Sequence, residues 1–212
     1  MNPYHHALSS ANKHGAGWKD FYNIHYFLDN SKSALCHFKH RAVYHHQEGI
    51  DEYKRLFGEG IKHSEGVATV NEVGEQHLLE DHGLVPTIEM WMEGCTFLDN
   101  EKKEMNLNHI AKRVSAKTAD LVKLAELFWP TPAILRCHSF GIFEVERMYG
   151  PAYELASGRK VPTRYICELI VAARFGAVPS LSDWAAHIVG RDWMSPRIHA
   201  EEMLNTLAKH TD

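Results

Sequence analysis

The chain contains no apolar run near the ~18 residues that a membrane-spanning helix requires. Its first ten residues, Met-Asn-Pro-Tyr-His-His-Ala-Leu-Ser-Ser, lack the apolar core of a signal peptide. The expected location is therefore the cytoplasm. Cysteine is scarce: Cys36, Cys95, Cys137 and Cys167 lie far apart and form no CxxC pair. That excludes a zinc ribbon or a dithiol redox motif and predicts reduced, mostly buried thiols. HExxH, the His-Asp dipeptide and the Walker A loop are all missing, so no established motif of metallohydrolases or nucleotide-binding proteins is present. The formal net charge is only −4 and the basic residues are not clustered. Affinity gained by neutralising nucleic-acid phosphates is not expected of such a surface.

Histidine is what the sequence does have. Its 16 copies outnumber the 14 glycines, and they concentrate in the first half. Otherwise the chain is ordinary: 44% hydrophobic and 24% charged residues belong to a globular protein. Its 212 residues suffice for one large domain or two domains of roughly 100.

The sequence matches itself. Residues 46–58, His-Gln-Glu-Gly-Ile-Asp-Glu-Tyr-Lys-Arg-Leu-Phe-Gly, align with 138–150, His-Ser-Phe-Gly-Ile-Phe-Glu-Val-Glu-Arg-Met-Tyr-Gly, and six of the thirteen positions are identical. At an offset one residue larger, Glu75 matches Glu168, Gly83 matches Gly176, Val85-Pro86 matches Val178-Pro179, and Trp91 matches Trp184. Two blocks in one order, with a single slip between them, read as a tandem duplication. The fold is expected to be mainly α, with two related helical repeats packed together and short β-hairpins at most. Residues 1–99 form the histidine-rich half and 100–212 the diverged half with a C-terminal helix.

Punctuation residues suggest the elements. Asn2-Pro3 reads as a helix start and Gly15 as its stop. A stripe through Leu35, Phe38, Ala42, Gly49, Tyr53 and Leu56 predicts one long helix from Asn30 to Phe57. Thr131-Pro132 predicts its counterpart, ending at Gly150. Ser64-Glu65-Gly66 and Ser157-Gly158 mark small hairpins. Thr87 and Ser180 look like N-caps, and Ser195-Pro196 opens a last helix.

Several imidazoles on an inward face need carboxylates, a metal or an anion as partners. On the expected long helix these are His40, His45 and His46, with Arg41 beside them. His77 and Asp81 follow one turn apart, a spacing from which two side chains can grip one ion. The predicted ligand set is thus His40, His45, His46, His77 and Asp81, around a divalent Zn, Mn or Fe ion. Arg41, Lys32 and Glu75 are assigned catalytic roles, the two cations as phosphate contacts. His5, His6, His25 and Asp29 form a second rank. The later half carries Cys137, Ile170 and Arg174 where the earlier has His45, His77 and Asp81, which predicts one active copy and one scaffold copy.

The stretch Lys39-His-Arg-Ala-Val-Tyr-His-His-Gln-Glu-Gly49, with Gly74-Glu-Gln-His77 and Val85-Pro86 to Trp91, resembles a family of small histidine-rich proteins of bacteria and their phages. That family is a domain of unknown function, and the likeness covers the first 95 residues or so, including the Asn2-Pro3-Tyr-His-His start. It implies no catalytic residues, but a phage origin would place the chain in a host cytoplasm with a counter-defence role. The expected function is a metal-dependent hydrolase acting on a phosphoester such as a nucleotide or cyclic nucleotide. The alternatives are a non-catalytic protein that binds a small phosphate-containing anion, and a purely structural helical protein. A membrane or nucleic-acid partner is not expected, and a homo-oligomer is left open.

Overall fold

The computed structural model describes residues 2–93, 95–96, 106–128 and 135–194. The chain opens with helices α1 (Pro3–His14) and α2 (Trp18–Asp29). Two 3₁₀ turns follow, Asn30–Ser33 and Phe38–Val43, and then α3 (Gln47–Phe57). A hairpin of β1 (Gly60–His63) and β2 (Gly66–Thr69) leads into α4 (Val70–His82) and the short α5 (Ile88–Met92). Next come α6 (Leu107–Arg113), α7 (Thr118–Ala125) and α8 (Ser139–Tyr149). A second hairpin, β3 (Ala152–Glu154) and β4 (Lys160–Pro162), precedes α9 (Thr163–Phe175) and α10 (Leu181–Ala186). The protein is mainly helical, with two antiparallel two-stranded hairpins among the described residues. None of the described helices is long and apolar enough to cross a membrane.

Local chemistry accounts for the starts and stops. Asn2 Oδ1 accepts from the His5 N–H at 3.0 Å, Pro3 supplies the first helical position, and Gly15 ends α1 in the left-handed region at φ 65°. Thr69 and Glu72 form a reciprocal capping box at the head of α4. Ser180 and Asp183 do the same for α10.

The long helix expected over 30–57 does not form. His46 is extended at φ −157°, ψ 165°, and its Nδ1 accepts from the Gly49 N–H at 3.0 Å. That imidazole is an N-cap, so α3 begins at Gln47 and the chain before it turns as 3₁₀. His138 repeats the device: it is extended at φ −151°, with Nδ1 accepting from Gly141 N–H at 3.1 Å. Behind each cap the chain doubles back so tightly that only glycine fits. A Cβ on Gly49 would lie 2.0 Å from Tyr44 O, and one on Gly141 would lie 2.0 Å from Arg136 O. The same backbone tie follows in both stretches, Gln47 N–H to Pro86 O at 2.8 Å and Ser139 N–H to Pro179 O at 2.9 Å. The helix expected to start at Thr131-Pro132 instead starts after His138, and Thr131-Pro132 itself, like the helix expected after Ser195, lies outside the described residues.

The chain forms two compact units. The first comprises 2–30, Tyr44–Thr87 and 190–194 of the described residues, and the second comprises Ser31–Val43 with Ile88–Val189. In the second, an apolar core gathers Leu121, Leu124, Phe128, Val145, Ile166 and Ile170, each fully shielded from solvent. Phe21, Ile24, Leu28, Ile50, Val73 and Leu78 are equally shielded in the first unit. There the apolar residues share the interior with a polar cluster.

Candidate metal centre

Three helices of the first unit each bury a pair of polar side chains one turn apart. They are His6 and Ser10 on α1, His25 and Asp29 on α2, and His77 and Asp81 on α4. Residues four apart share a helix face, so each pair looks the same way. His45, just ahead of the cap that starts α3, adds a fourth direction. His6, Ser10, His25, His45 and His77 are fully shielded, and Asp29 and Asp81 are 4% and 2% exposed.

Asp29, His45, His77 and Asp81 each bring one ligand atom into a group whose atoms all lie within 4.8 Å of one another. His45 Nε2 lies 3.0 Å from His77 Nε2, 3.2 Å from Asp81 Oδ2 and 3.4 Å from Asp29 Oδ1. His77 Nε2 lies 3.7 Å from Asp81 Oδ2. A tetrahedral ion with bonds of about 2.05 Å holds its ligand atoms roughly 3.3 Å apart. The four measured separations bracket that edge length. The three nitrogen–oxygen separations also exceed the ~2.7–2.9 Å of a charge-assisted hydrogen bond.

The electrostatics point the same way. Burial, and then the nearby His6, push the His25 imidazole down to about 3. Burial holds His77 well below its ordinary value too, so both rings are neutral ligands at physiological pH. Asp81 moves opposite to what burial alone would do, because the adjacent His45 and His6 imidazoles hold its carboxyl far below the usual range. Two buried carboxylates among imidazoles form a donor set that suits a divalent cation. These residues fit a metal ion, and the mixed nitrogen and oxygen donors suit Zn, Mn or Fe.

A second layer orients the first. His6 Nδ1 lies 2.5 Å from Glu80 Oε2, and Glu80 is also held by Ser9 Oγ at 2.6 Å and Gln76 Nε2 at 2.9 Å. Despite burial, the neighbouring Asp81 and Glu80 carboxylates raise the His6 imidazole above its ordinary value. Ser10 Oγ lies 3.0 Å from His25 Nε2. Glu80 and Gln76 also line a shallow surface groove with Lys13, Glu72, Glu75 and Leu79.

The structure thus brings together His45, His77 and Asp81 from the predicted ligand set, and His6, His25 and Asp29 from the second rank. The rest lie elsewhere. His46 is the α3 cap. His40 and Arg41 are buried in the second unit, where His40 Nδ1 donates to His37 O at 2.7 Å. Lys32 is exposed in that same unit, His5 is exposed on α1, and Glu75 sits at the groove. Glu80 and Ser10 were missed by sequence reasoning. The available signal was the recurrence of pairs four apart on three helices, α1, α2 and α4.

At the sequence positions of the second unit that align with His45, His77 and Asp81, the described residues bring no such ligand group together. Cys137 Sγ donates to Phe128 O at 3.2 Å, and Arg174 Nη1 donates to the same carbonyl at 2.7 Å. Ile170 is fully buried in the apolar core where the first unit has His77.

Fold and site together define a mainly helical protein with a buried histidine and aspartate cluster able to hold a metal ion. The chain belongs to the family described as a domain of unknown function (DUF6915), which matches residues 1–112 and 129–194. No curated protein and no solved structure matches it significantly.

Proposed function

We propose that the protein is a metal-dependent hydrolase acting on a phosphoester such as a nucleotide or cyclic nucleotide, with its ion held by Asp29, His45, His77 and Asp81. The observation that carries this reading is the convergence of two buried carboxylates and two imidazoles at ligand spacing. A divalent ion held by this set would supply Lewis acidity. His6 is held by Glu80 through Nδ1 and directs Nε2 towards the cluster, 3.5 Å from Asp81 Oδ1. In this reading the two similar stretches are copies of one pattern, of which the first carries the chemistry and the second the scaffold. Were the chain phage-encoded, its substrate would be a nucleotide signal in the host cytoplasm.

Complete burial of the four ligands favours a second reading, a protein that binds an ion or anion without turnover. Elemental analysis of untagged protein, followed by hydrolysis assays on bis(p-nitrophenyl) phosphate and a cyclic-nucleotide panel, separates the two. Stoichiometric metal with turnover that His45→Ala abolishes supports the hydrolase. Stoichiometric metal without turnover selects the binding protein, and a chain that takes up no divalent ion overturns the hydrolase and leaves anion binding alone.

A further inference from the structure

The ring of His77 faces another imidazole at each of its two nitrogens. Its Nε2 lies 3.0 Å from His45 Nε2, inside the cluster with the carboxylates. Its Nδ1 lies 3.0 Å from His25 Nδ1, on the opposite edge of the ring. His6, whose ring lies against that of His77 with centroids 3.9 Å apart, joins His25 and His77 in a second group whose ligand atoms lie within 4.8 Å of one another. All three side chains are completely buried.

We propose that His6, His25 and His77 form a second metal position, joined to the first through the two ring nitrogens of His77. The hydrogen bonding around the outer ligands supports it. Imidazoles that ligate metals nearly always direct the other ring nitrogen to an oxygen partner. His25 Nε2 meets Ser10 Oγ at 3.0 Å, which leaves Nδ1 as the donor facing His77. His6 Nδ1 meets Glu80 Oε2 at 2.5 Å, which leaves Nε2 as the inward donor. That Nε2 is 3.5 Å from Asp81 Oδ1, longer than a good hydrogen bond.

The two positions differ in chemistry. Four protein ligands close the first in a tetrahedral ion, whereas three imidazoles leave the second a vacant coordination place of the kind catalytic sites keep for water or substrate. Three nitrogen donors favour Zn(II), Co(II) or Cu(II), while two carboxylates let the first position accept harder ions as well. Occupying both releases the single ring proton of His77 to solvent, and the ring bridges as imidazolate. This inference rests on the first cluster holding an ion, and it moves the open ligand position to the side lined by His6 and Glu80.

The test uses the untagged full-length chain loaded with Zn(II) or Cu(II), desalted and analysed for metal. Two ions per chain are expected, falling to one in His25→Ala and none in His77→Ala. Glu80→Gln, which keeps the shape of the second layer, should weaken the second ion's affinity 10–100-fold and the first ion's by less. It serves should His25→Ala fail to fold. In the doubly Cu(II)-loaded chain, magnetic coupling through the bridge should suppress the ordinary copper resonance. A single ion per chain, with Glu80→Gln without effect, overturns the second position and leaves the first intact. Two ions without coupling overturn the His77 bridge, and a chain that binds no ion overturns both positions.

Discussion

Asp29→Asn should raise the stability of the metal-free chain while nearly erasing its response to metal. Asp29 and Asp81 contribute ligand atoms no more than 4.8 Å apart, both from buried side chains. At an effective dielectric constant of about 20, two unit charges 4.8 Å apart repel by ~3.5 kcal/mol, of which the neighbouring imidazoles offset a part. The amide keeps the size of the carboxylate, so a net gain of about 1–2 kcal/mol is expected in chelator, or roughly 2–8 °C in melting temperature for a chain of this length. Under metal the comparison changes. An ion supplied at a hundred times its Kd stabilises the wild type by ~2.7 kcal/mol. If losing the anionic ligand weakens binding a hundredfold, the same concentration stabilises the variant by only ~0.4 kcal/mol. The assay is thermal melting of both untagged proteins, in EDTA and in Mn(II) or Zn(II) at that concentration. A variant that melts below wild type in EDTA, yet gains as much from metal, would refute the electrostatic account of the cluster.

Two further perturbations address the scaffold. Gly49→Ala and Gly141→Ala should each cost more than the ~1–3 kcal/mol of ordinary overpacking, because the new methyl meets a backbone carbonyl rather than a movable side chain. Either variant melting within about 2 °C of wild type contradicts the tight turn. Burial holds His138 down to about 3, against an ordinary 6.5, with its bond to Leu135 O offsetting only part of the effect. Below pH 6.5 the unfolded chain therefore binds a proton that the folded one refuses, and stability falls as pH falls towards 3. At pH 5 that loss is about 2 kcal/mol. His138→Asn retains an acceptor for the Gly141 N–H and should flatten this dependence, measured by denaturant melts between pH 7 and 5. Parallel curves for the two proteins would assign the effect elsewhere.

Much of the helical framework could be read from local signals, because caps and stops act over three or four residues. Asn2-Pro3, Gly15, Ser180 with Asp183, and the glycines at both hairpins fall where those signals placed them. His77 and Asp81 were legible as a pair for the same reason. The break before α3 was not, since imidazole is outside the usual set of N-capping side chains, and an apolar stripe continued through it. His40 and Arg41 were placed beside His45 on a helix that the His46 cap prevents. His6, His25 and Asp29 fell to second rank for a different reason. Each is unremarkable on its own helix, and only the packing of α1, α2 and α4 turns their faces to one point.

The chain passes between its two compact units at residues 30/31, 43/44, 87/88 and 189/190. A genetic crossover at any single point would therefore split at least one unit instead of exchanging it whole. Expressing residues 1–99 alone would likewise strand Ser31–Val43 without most of the unit it belongs to. The histidine-bearing unit is therefore inherited, transplanted or trimmed together with the second, whose described residues contribute none of the clustered side chains.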